Sequence, residues 1–402
     1  MGFSPDIQDP TSLFLPDSIE EEIVNGMSPQ TINKIFSYGR LLKVSDVIFQ
    51  VGFPIWIKIN NFVFPISKSE ISLTVMQQII EALFKAPEGD DRAFMEVMSG
   101  KNPDISYTFK ISKSGQRDKF IRYRVNITRD GESGLSAFCR LNNEVIPKLE
   151  DIGQSPGGEI YQSMFRMKGT VLVTGAVDSG KTTLVYSCLN HFILYDERPA
   201  VINTYENPIE GDLQTPAKEY SEVGNKVVCQ CPVPQGAADF KDGVKRSLRR
   251  NADIILLGEI RTPDEADSFV EGANATAKLM IATLHTDSIP LTIDRMLNLL
   301  RKDSQGETQA MLNAYLNTAN MIVSQKLINT IDKKRVAAYE CLVFTQEVRE
   351  KLKSVSIDEI TETVAQIMKS NGNTMVDKAR KYYEQGIISE KTFREFERDF
   401  GY

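Results

Sequence analysis

Long apolar runs are missing from this sequence. No stretch is long enough to cross a lipid bilayer as a helix. The first ten residues, MGFSPDIQDP, are acidic and contain proline, unlike the basic and then apolar start of a secretory signal peptide. Asp6 stands where a myristoylation signal requires serine or threonine. We therefore expect neither a membrane-spanning segment nor a lipid anchor.

Basic charge and paired cysteines are also scarce. The net charge is -7 and the sequence pI is about 5.3, which disfavours nucleic acid as a direct ligand but still allows a local basic groove. The five cysteines are scattered and odd in number, as is usual in a reducing cytosol. Cys229 and Cys231 are too close together for half of a C-x-x-C zinc site. We expect a globular, cytoplasmic protein of two or three domains from these 402 residues.

Two patterns of apolar and polar residues divide the chain. Short alternating runs before residue 150, such as Asp46–Val51, predict a mostly antiparallel sheet. Later β-branched runs without polar alternation, such as Thr170–Thr174, are separated by helical patterns and predict a parallel sheet covered on both faces. The predicted segments are a flexible arm at 1–28, a small α+β N-terminal domain at 29–150, a linker at 151–158, an α/β nucleotide-binding core at 159–345 and a helical C-terminal segment at 346–402.

A phosphate-loop pattern, G-x-x-x-x-G-K-[ST], begins at Gly175. A predicted strand precedes it and a predicted helix follows it, so the loop meets a helix N-terminus, which favours anions. Lys181 is expected to reach the β- and γ-phosphates, and Thr182 is expected to bind Mg²⁺. The alternative, a glycine-rich turn before a buried helix, fits this context poorly. The predicted nucleotide-binding residues of the loop are Gly175, Ala176, Asp178, Ser179, Gly180, Lys181, Thr182 and Thr183.

Asp178 places a carboxylate in the bend of this loop. Its side chain can point outward while its N–H points inward, and aspartate tolerates unusual turn conformations. We expect the charge to weaken nucleotide binding somewhat without abolishing it. The loop resembles those of translational GTPases, which accept aspartate at this place. The N/T-K-x-D guanine motif is missing, however, so ATP is the predicted nucleotide.

Acidic residues and a histidine follow three further predicted strands. Glu206 and Glu210 come after one strand, Glu259 after the next and His285 after a third. In an open α/β sheet the carboxyl ends of the strands face the ligand crevice. One of only two histidines therefore stands where a functional role is favoured over a structural one. His191, on the helix after the loop, is interpreted as a packing or surface residue.

These four motifs, in this order, resemble the secretion ATPase superfamily, which includes pilus-retraction and pilus-assembly motors and type II and type IV secretion ATPases. The family shows an acidic box T-x-E-D-P-x-E, a Walker B variant G-E-x-R-D and a histidine box ending T-L-H-T. Here they read TYENPIE at 204–210, GEIRT at 258–262 and TLHT at 283–286. The resemblance covers about residues 40–400 and favours the retraction-motor branch, in particular its type IVB (Dot/Icm-type) secretion and plasmid conjugal-transfer members.

The resemblance implies a RecA-like P-loop core with a small α+β (PAS-like) N-terminal domain and a helical C-terminal tail. It further implies a homo-hexameric ATPase that uses ATP and Mg²⁺. Such a motor lies in the cytoplasm and associates peripherally with the inner membrane. The implied partners are inner-membrane or coupling proteins of a secretion or conjugation apparatus.

The resemblance also assigns roles to single residues. Glu206 would orient or deprotonate the attacking water, with support from Glu210. Glu259 would hold the Mg²⁺ shell through water. His285 would sense the γ-phosphate and pass its presence to the following helix. In the family, arginines of the N-terminal domain surround the γ-phosphate, and the matching positions here are Arg122, Arg124 and Arg140. A solvated surface charge is an equally good interpretation of each.

Departures from the family pattern leave other functions open. Asp178 replaces a loop glycine, Asn207 and Thr262 each replace an aspartate, and Lys278 replaces a histidine. The first hypothesis is a hexameric cytoplasmic ATPase, with slow or partner-dependent hydrolysis, that powers a secretion or conjugation machine by rotating its two domains against each other. A nucleotide-gated docking ring with little hydrolysis is the second. A RecA-like nucleic-acid motor is the third, and the acidic charge disfavours it.

Overall fold

The computed structural model describes residues 13–401, apart from 60–61, 88–89, 112–118, 132–133, 143–145, 220–224, 235, 277 and 333. The chain forms two compact units. The first comprises Met1–Glu144 together with Asn207–Gly211, and the second comprises Val145–Glu206 and Asp212–Tyr402. The segment 207–211, expected as part of the nucleotide-binding core, thus belongs to the first unit. Within the described ranges, no helix is long and apolar enough to span a membrane.

The first unit is built on one antiparallel sheet. Its described helices are α1 (Asp17–Asn25), α2 (Pro29–Leu41), α3 (Leu73–Leu83) and α4 (Arg92–Met98), and its strands are β1 (Asp46–Gln50), β2 (Trp56–Ile59), β3 (Phe62–Pro65), β4 (Asp104–Ile111), β5 (Lys119–Asp130) and β6 (Gly134–Leu141). The strand order is β3-β2-β1-β6-β5-β4. Along β4, Ile105, Tyr107 and Phe109 are buried and alternate with more exposed residues, as expected when one face covers a core. Tyr123 of β5 stacks on Phe36 of α2 with ring centroids 3.9 Å apart.

The prediction of a flexible arm at 1–28 is wrong for its second half. Helix α1 begins after Pro16 and buries Ile19 and Ile23 in the core of the first unit. Glu20 accepts a hydrogen bond from the N–H of Lys68 at 2.7 Å. The proline- and aspartate-rich start suggested a loose segment, but two isoleucines four residues apart form an apolar stripe that packs. Residues 1–12 lie outside the described part of the chain.

The second unit contains a seven-stranded sheet and the remaining helices. Its described strands are β7 (Gly169–Thr174), β8 (Ala200–Glu206), β9 (Lys226–Pro232), β10 (Ile254–Leu257), β11 (Leu279–Leu284), β12 (Ala319–Asn329) and β13 (Arg335–Val343), and its helices are α5 (Glu159–Met164), α6 (Lys181–Tyr195), α7 (Gln214–Glu219), α8 (Phe240–Arg249), α9 (Pro263–Thr276), α10 (Ile289–Leu299), α11 (Gln305–Thr318), α12 (Gln346–Lys353), α13 (Ile360–Ser370), α14 (Met375–Glu384) and α15 (Glu390–Phe400). The order is β13-β12-β7-β11-β10-β8-β9, and β13 alone among these described strands runs antiparallel to its neighbour.

The central strands bury both of their faces. On β10, Ile254 and Leu256 pack into the cluster that contains α5 and α6, whereas Ile255 and Leu257 pack into the cluster formed with α8 to α11 and α13. Apolar side chains on both faces explain why these strands read as unbroken apolar runs. These strands run parallel to one another, so the carboxyl ends of β7, β8, β10 and β11 lie along one edge of the sheet.

A buried carboxylate connects the core sheet to the C-terminal helices. Glu340 of β13 is 1% exposed. Its Oε1 accepts from the N–H of Ile289 at 2.6 Å, and its Oε2 accepts from the N–H of Met375 at 3.3 Å. These two residues begin α10 and α14, and a carboxylate is favourable at helix N-termini, where N–H groups lack intrahelical partners.

Two glycines of the second unit give a matched test of how closely its backbone segments approach one another. Gly169 has φ 92°, and a Cβ there would lie 2.3 Å from the carbonyl oxygen of Thr318, whereas a Cβ at Gly306 in α11 would meet nothing within 4 Å. We expect Gly169→Ala to lower the free energy of unfolding by about 1–3 kcal/mol. Gly306→Ala is expected to raise it by about 0.4–1 kcal/mol. Urea denaturation measures both changes, and equal stability of the two variants would contradict the packing described.

Candidate active site

The phosphate loop connects β7 to α6 and is held against β12. Gly175 has φ 146° and Gly180 has φ 85°, conformations that favour glycine. A Cβ at Gly175 would lie 2.3 Å from the carbonyl oxygen of Gln325, and one at Gly180 would lie 2.7 Å from its Nε2. The same Nε2 donates to the carbonyl oxygen of Ser179 at 2.8 Å. Gly175 is therefore required by the close approach of loop and strand, and Gly180 by its positive φ.

Lys181 begins α6 and turns back over the loop. The residue is 7% exposed, and its Nζ donates to the carbonyl oxygens of Gly175 and Ala176 at 2.7 Å each. The same Nζ lies 3.3 Å from Nδ1 of His285, which follows the end of β11. The structure thus brings together two residues that the sequence separates by more than a hundred positions.

His285 lies between this lysine and a carboxylate. Its Nε2 is 3.4 Å from Oε1 of Glu259, which follows β10. Because an ammonium group only donates, Nδ1 accepts in its contact with Lys181, and a neutral imidazole then carries its proton on Nε2, the nitrogen nearer the carboxylate. Oε2 of Glu259 in turn accepts from Arg261, whose Nε lies 2.8 Å away. A chain of contacts therefore runs from the phosphate loop to the end of β10.

Glu206 ends β8 inside the protein. It is 3% exposed, and its Oε2 accepts a hydrogen bond from the phenol of Tyr186 on α6. Nε2 of Gln230 on β9 lies 3.5 Å from its Oε1 and 3.4 Å from the phenol oxygen. Glu210, by contrast, is exposed and lies on the segment that belongs to the first unit. The two glutamates predicted to act together thus differ in burial and in unit.

The remaining loop residues present side chains suited to a charged ligand. Asp178 is exposed and has φ 60°, in agreement with the outward orientation predicted for it. Oγ of Ser179 is buried and has no hydrogen-bond partner within the described part of the chain. Thr182 and Thr183 are partly buried in the first turn of α6. A buried hydroxyl without a partner beside a lysine at a helix N-terminus fits a phosphate group.

The donor set also fits Mg²⁺ held mainly by phosphate. Among the described residues, no group of three or more His, Cys, Asp or Glu side chains could hold a metal ion. Mg²⁺ commonly keeps several waters and is bound through one or two protein oxygens plus substrate phosphates. The hydroxyl of Thr182 can supply one such oxygen. Glu259 already contacts Arg261 and His285, which favours a contact through water.

The three predicted arginines lie in the first unit and differ from one another. Arg122 is 8% exposed and donates to the carbonyl oxygen of Gly211 at 2.7 Å, so its interpretation as a solvated surface charge is wrong. Arg124 and Arg140 are exposed and pair with carboxylates, Arg124 with Asp104 at 2.5 Å and Arg140 with Asp46 at 3.0 Å. Their expected role around the γ-phosphate stays a prediction.

Sequence reasoning missed the residues that support the site from neighbouring elements. Tyr186 and Gln230 contact Glu206, Gln325 contacts the loop, and Arg261 contacts Glu259. For Arg261 the G-E-x-R motif is a signal, although the motif alone indicates only the family. For the others the contact depends on which strands and helices become neighbours, and the sequence pattern does not indicate it.

Comparison with known proteins identifies the family. The sequence profile described as type II/IV secretion system protein matches residues 140–398, which is more than half of the chain. The chain belongs to this family. The predicted resemblance is thereby confirmed, and the protein is an ATPase of the secretion ATPase family that binds adenine nucleotide.

Individual relatives match nearly the whole chain. The type IV pilus retractation ATPase PilT of Pseudomonas aeruginosa is 25% identical over 366 residues, which cover 90% of this chain and 97% of that protein. The X-ray structure of the Legionella pneumophila ATPase DotB aligns with a TM-score of 0.81 at 28% identity, covering 93% of this chain and 97% of the other. The pilus retraction motor PilT with bound ADP aligns with a TM-score of 0.71 at 23% identity over 90% and 95%, which shows the fold alone.

These likenesses confirm the coarse fold prediction. The protein is an α/β protein with an N-terminal antiparallel-sheet domain and a mixed, mostly parallel core sheet. The family is one of secretion and pilus ATPase motors.

The contacts of Lys181 lead to a first test of nucleotide binding. We expect Lys181→Ala to weaken ATP binding by at least about tenfold, because a charged donor to phosphate is lost. Lys391→Ala, which removes an exposed lysine of α15, serves as the matched control and should bind ATP as the wild type does. Isothermal titration measures both affinities. Unchanged ATP affinity of Lys181→Ala would remove the phosphate-loop assignment.

The charge of Asp178 can be separated from its backbone conformation. We expect Asp178→Gly to tighten ATP binding by a factor of about 2–5, because an exposed like charge disappears near the phosphates. Asp178→Asn keeps a residue that tolerates positive φ and removes only the charge, so it should tighten binding to a similar extent. Titrations at low and high salt should show the gain shrinking as salt rises. A loss of affinity in either variant would show that the carboxylate contributes to binding.

Proposed function

We propose that this ATPase works as a homo-hexameric motor that energises a type IV secretion, conjugation or pilus machine at the cytoplasmic face of the inner membrane. The observation that carries the proposal is the chain of contacts from Lys181 through His285 to Glu259, with Glu206 buried at the end of a strand of the same sheet. A lysine suited to phosphate and a carboxylate that can accept a proton thus lie at one edge of the same sheet, which hydrolysis requires and passive nucleotide binding does not.

The proposed chemistry assigns one task to each group. Glu206 acts as the general base that orients the attacking water and takes its proton, supported by Glu210. Phosphoryl transfer depends mainly on positioning and on charge stabilisation, and the buried Glu206 carboxylate is suited to positioning because two side chains contact its oxygens. Thr182 would hold Mg²⁺ directly and Glu259 would do so through water. When bound, Mg²⁺ neutralises charge on the β- and γ-phosphates.

We propose that His285 reports on the presence of the γ-phosphate. A γ-phosphate competes with its Nδ1 for the ammonium group of Lys181, because a phosphate oxygen is the stronger acceptor. We propose that this competition changes the position of the imidazole and of the segment that follows it. Thr286 follows His285, and its hydroxyl lies 2.7 Å from the hydroxyl of Thr292 on α10. The Thr292 hydroxyl in turn lies 3.1 Å from the hydroxyl of Thr174 at the end of β7.

The path continues beyond α10. Glu340 accepts hydrogen bonds from the first residues of both α10 and α14, so a displacement of one helix N-terminus acts on the other. We propose that this connection carries the nucleotide state toward the C-terminal helices. Paired groups of this kind couple two elements when both elements have two discrete arrangements.

The partners of the motor follow from the family alone. We propose inner-membrane or coupling proteins of a secretion or conjugation apparatus, with peripheral attachment to the membrane from the cytoplasmic side. The retraction-motor branch is supported by the match to almost the full length of PilT, and the type IVB and conjugal-transfer members remain our finer assignment within it. Nucleic acid as a direct ligand is disfavoured by the net charge of -7.

A nucleotide-gated docking ring is the competing function, and Glu206 distinguishes the two. We expect Glu206→Gln to lower ATP turnover by about 10²–10⁴, the range for loss of a positioned base, with ATP affinity unchanged because the loop is intact. Glu395→Gln, an exposed change on α15, is the matched control and should hydrolyse ATP at the wild-type rate. Steady-state phosphate release and ATP titration measure the two quantities.

Transport in cells completes this test. A motor loses transport in both Glu206→Gln and Lys181→Ala, whereas a docking ring loses it only in Lys181→Ala. Transport by Glu206→Gln at the wild-type level would refute the motor. Mass analysis of the assembled protein with ATP should show six copies, and any other closed number would refute the hexamer.

A further inference from the structure

We propose that Tyr186 is a positioning residue of the hydrolytic step, which acts by holding the carboxylate of Glu206. The phenol of Tyr186 donates to Oε2 of Glu206, and both residues are almost fully buried, at 4% and 3% exposure. This inference rests on the proposed role of Glu206 as general base. It concerns the ATPase reaction itself and adds a residue that none of the four family motifs contains.

The hydrogen bond fixes one oxygen of the carboxylate. The second oxygen, Oε1, meets Nε2 of Gln230 at 3.5 Å, which is a long contact for a hydrogen bond. A glutamate has three side-chain torsions, and burial beside a fixed donor removes most of their freedom.

The helix that carries Tyr186 also carries the phosphate-binding residues. Lys181 and Thr182 occupy the first turn of α6, and Tyr186 lies five residues after the lysine. Along an α-helix five residues span about 7.5 Å, a distance that one rigid element conserves. The hydrogen bond therefore ties the orientation of Glu206 to the element that holds the phosphate, although Glu206 itself belongs to β8.

This arrangement is effective because alignment governs the reaction. Phosphoryl transfer gains its rate from near-attack geometry, so a misplacement of about 1 Å can cost about a hundredfold in rate. A base on the end of a strand can rotate about its own torsions. A base that is also hydrogen-bonded to the phosphate-binding helix keeps its orientation relative to that helix, and so relative to the phosphate.

The first measurement is the steady-state kinetics of Tyr186→Phe, which keeps the ring and removes the hydroxyl. We expect kcat to fall by about 10- to 100-fold, the range for loss of a hydrogen bond to a charged group, while KM for ATP and ATP affinity stay at wild-type values. Tyr315→Phe is the matched control. Tyr315 is 1% exposed in α11 of the same unit, and its hydroxyl has no hydrogen-bond partner among the described residues, so its loss should leave kcat unchanged.

The second measurement is a double-mutant cycle that separates positioning from general packing. If Tyr186 acts through Glu206, Tyr186→Phe has no further effect on turnover in the Glu206→Gln background, because the carboxylate that it positions is gone. A packing role would slow both backgrounds equally. Single-turnover hydrolysis with enzyme in excess gives the rates of the slow variants. Thermal unfolding checks that the phenylalanine variant keeps the wild-type midpoint.

The outcomes distinguish the inference from the function on which it rests. Slower turnover by Glu206→Gln together with wild-type kcat in Tyr186→Phe would overturn the positioning role and leave the motor standing. Equal losses from Tyr186→Phe in both backgrounds would also overturn it. Wild-type turnover by Glu206→Gln would refute the proposed base itself. A loss in Tyr186→Phe that disappears in the Glu206→Gln background supports both.

Discussion

The ammonium group of Lys181 is the contact on which the rest of the site depends. It bonds to two carbonyl oxygens of the loop that follows β7 and reaches the imidazole that follows β11. The imidazole then meets a carboxylate that follows β10. Three strand ends are connected by side chains because the parallel register of β7, β11 and β10 places them along one edge. We therefore expect a nucleotide that binds this lysine to act on all three strand ends.

The fold was largely predictable because its physical signals are local. The unbroken apolar strand at Val171 and the phosphate loop after it could be read from sequence, since burial on both faces removes the polar alternation and the loop needs glycines at fixed places. Burial of Ile19 and Ile23 was missed because composition outweighed a short apolar stripe. Membership of residues 207–211 in the first unit was missed because a contact such as that of Arg122 with Gly211 joins distant parts of the chain.

The sequence indicated which side chains stand at the strand ends, but not how they are connected. Strand ends indicated Glu206, Glu259 and His285, because the carboxyl edge of a parallel sheet collects functional side chains. The bond from Tyr186 to Glu206 joins α6 to β8, and no sequence period reports which residue of a helix lies over which strand end. The buried Glu340 belongs to the same class, since its partners lie about fifty and thirty-five positions away. Motifs therefore indicate expected roles for single residues, whereas the contacts that support those residues are found only in the three-dimensional structure.

Three of the four departures from the family pattern are accommodated by local structure, which favours a working ATPase over a degenerate one. Thr262 stands at the start of α9. Its N–H donates to the Glu265 carboxylate, and the N–H of Glu265 donates to the Thr262 hydroxyl. Threonine therefore caps the helix as aspartate would. Lys278 pairs with Asp253 at 3.2 Å, which satisfies its charge at the strand start. Asp178 takes a positive φ that aspartate tolerates, with its carboxylate exposed. A site that had lost its chemistry would be free to lose its geometry as well, yet Lys181 and His285 keep theirs. We therefore favour the motor over the docking ring.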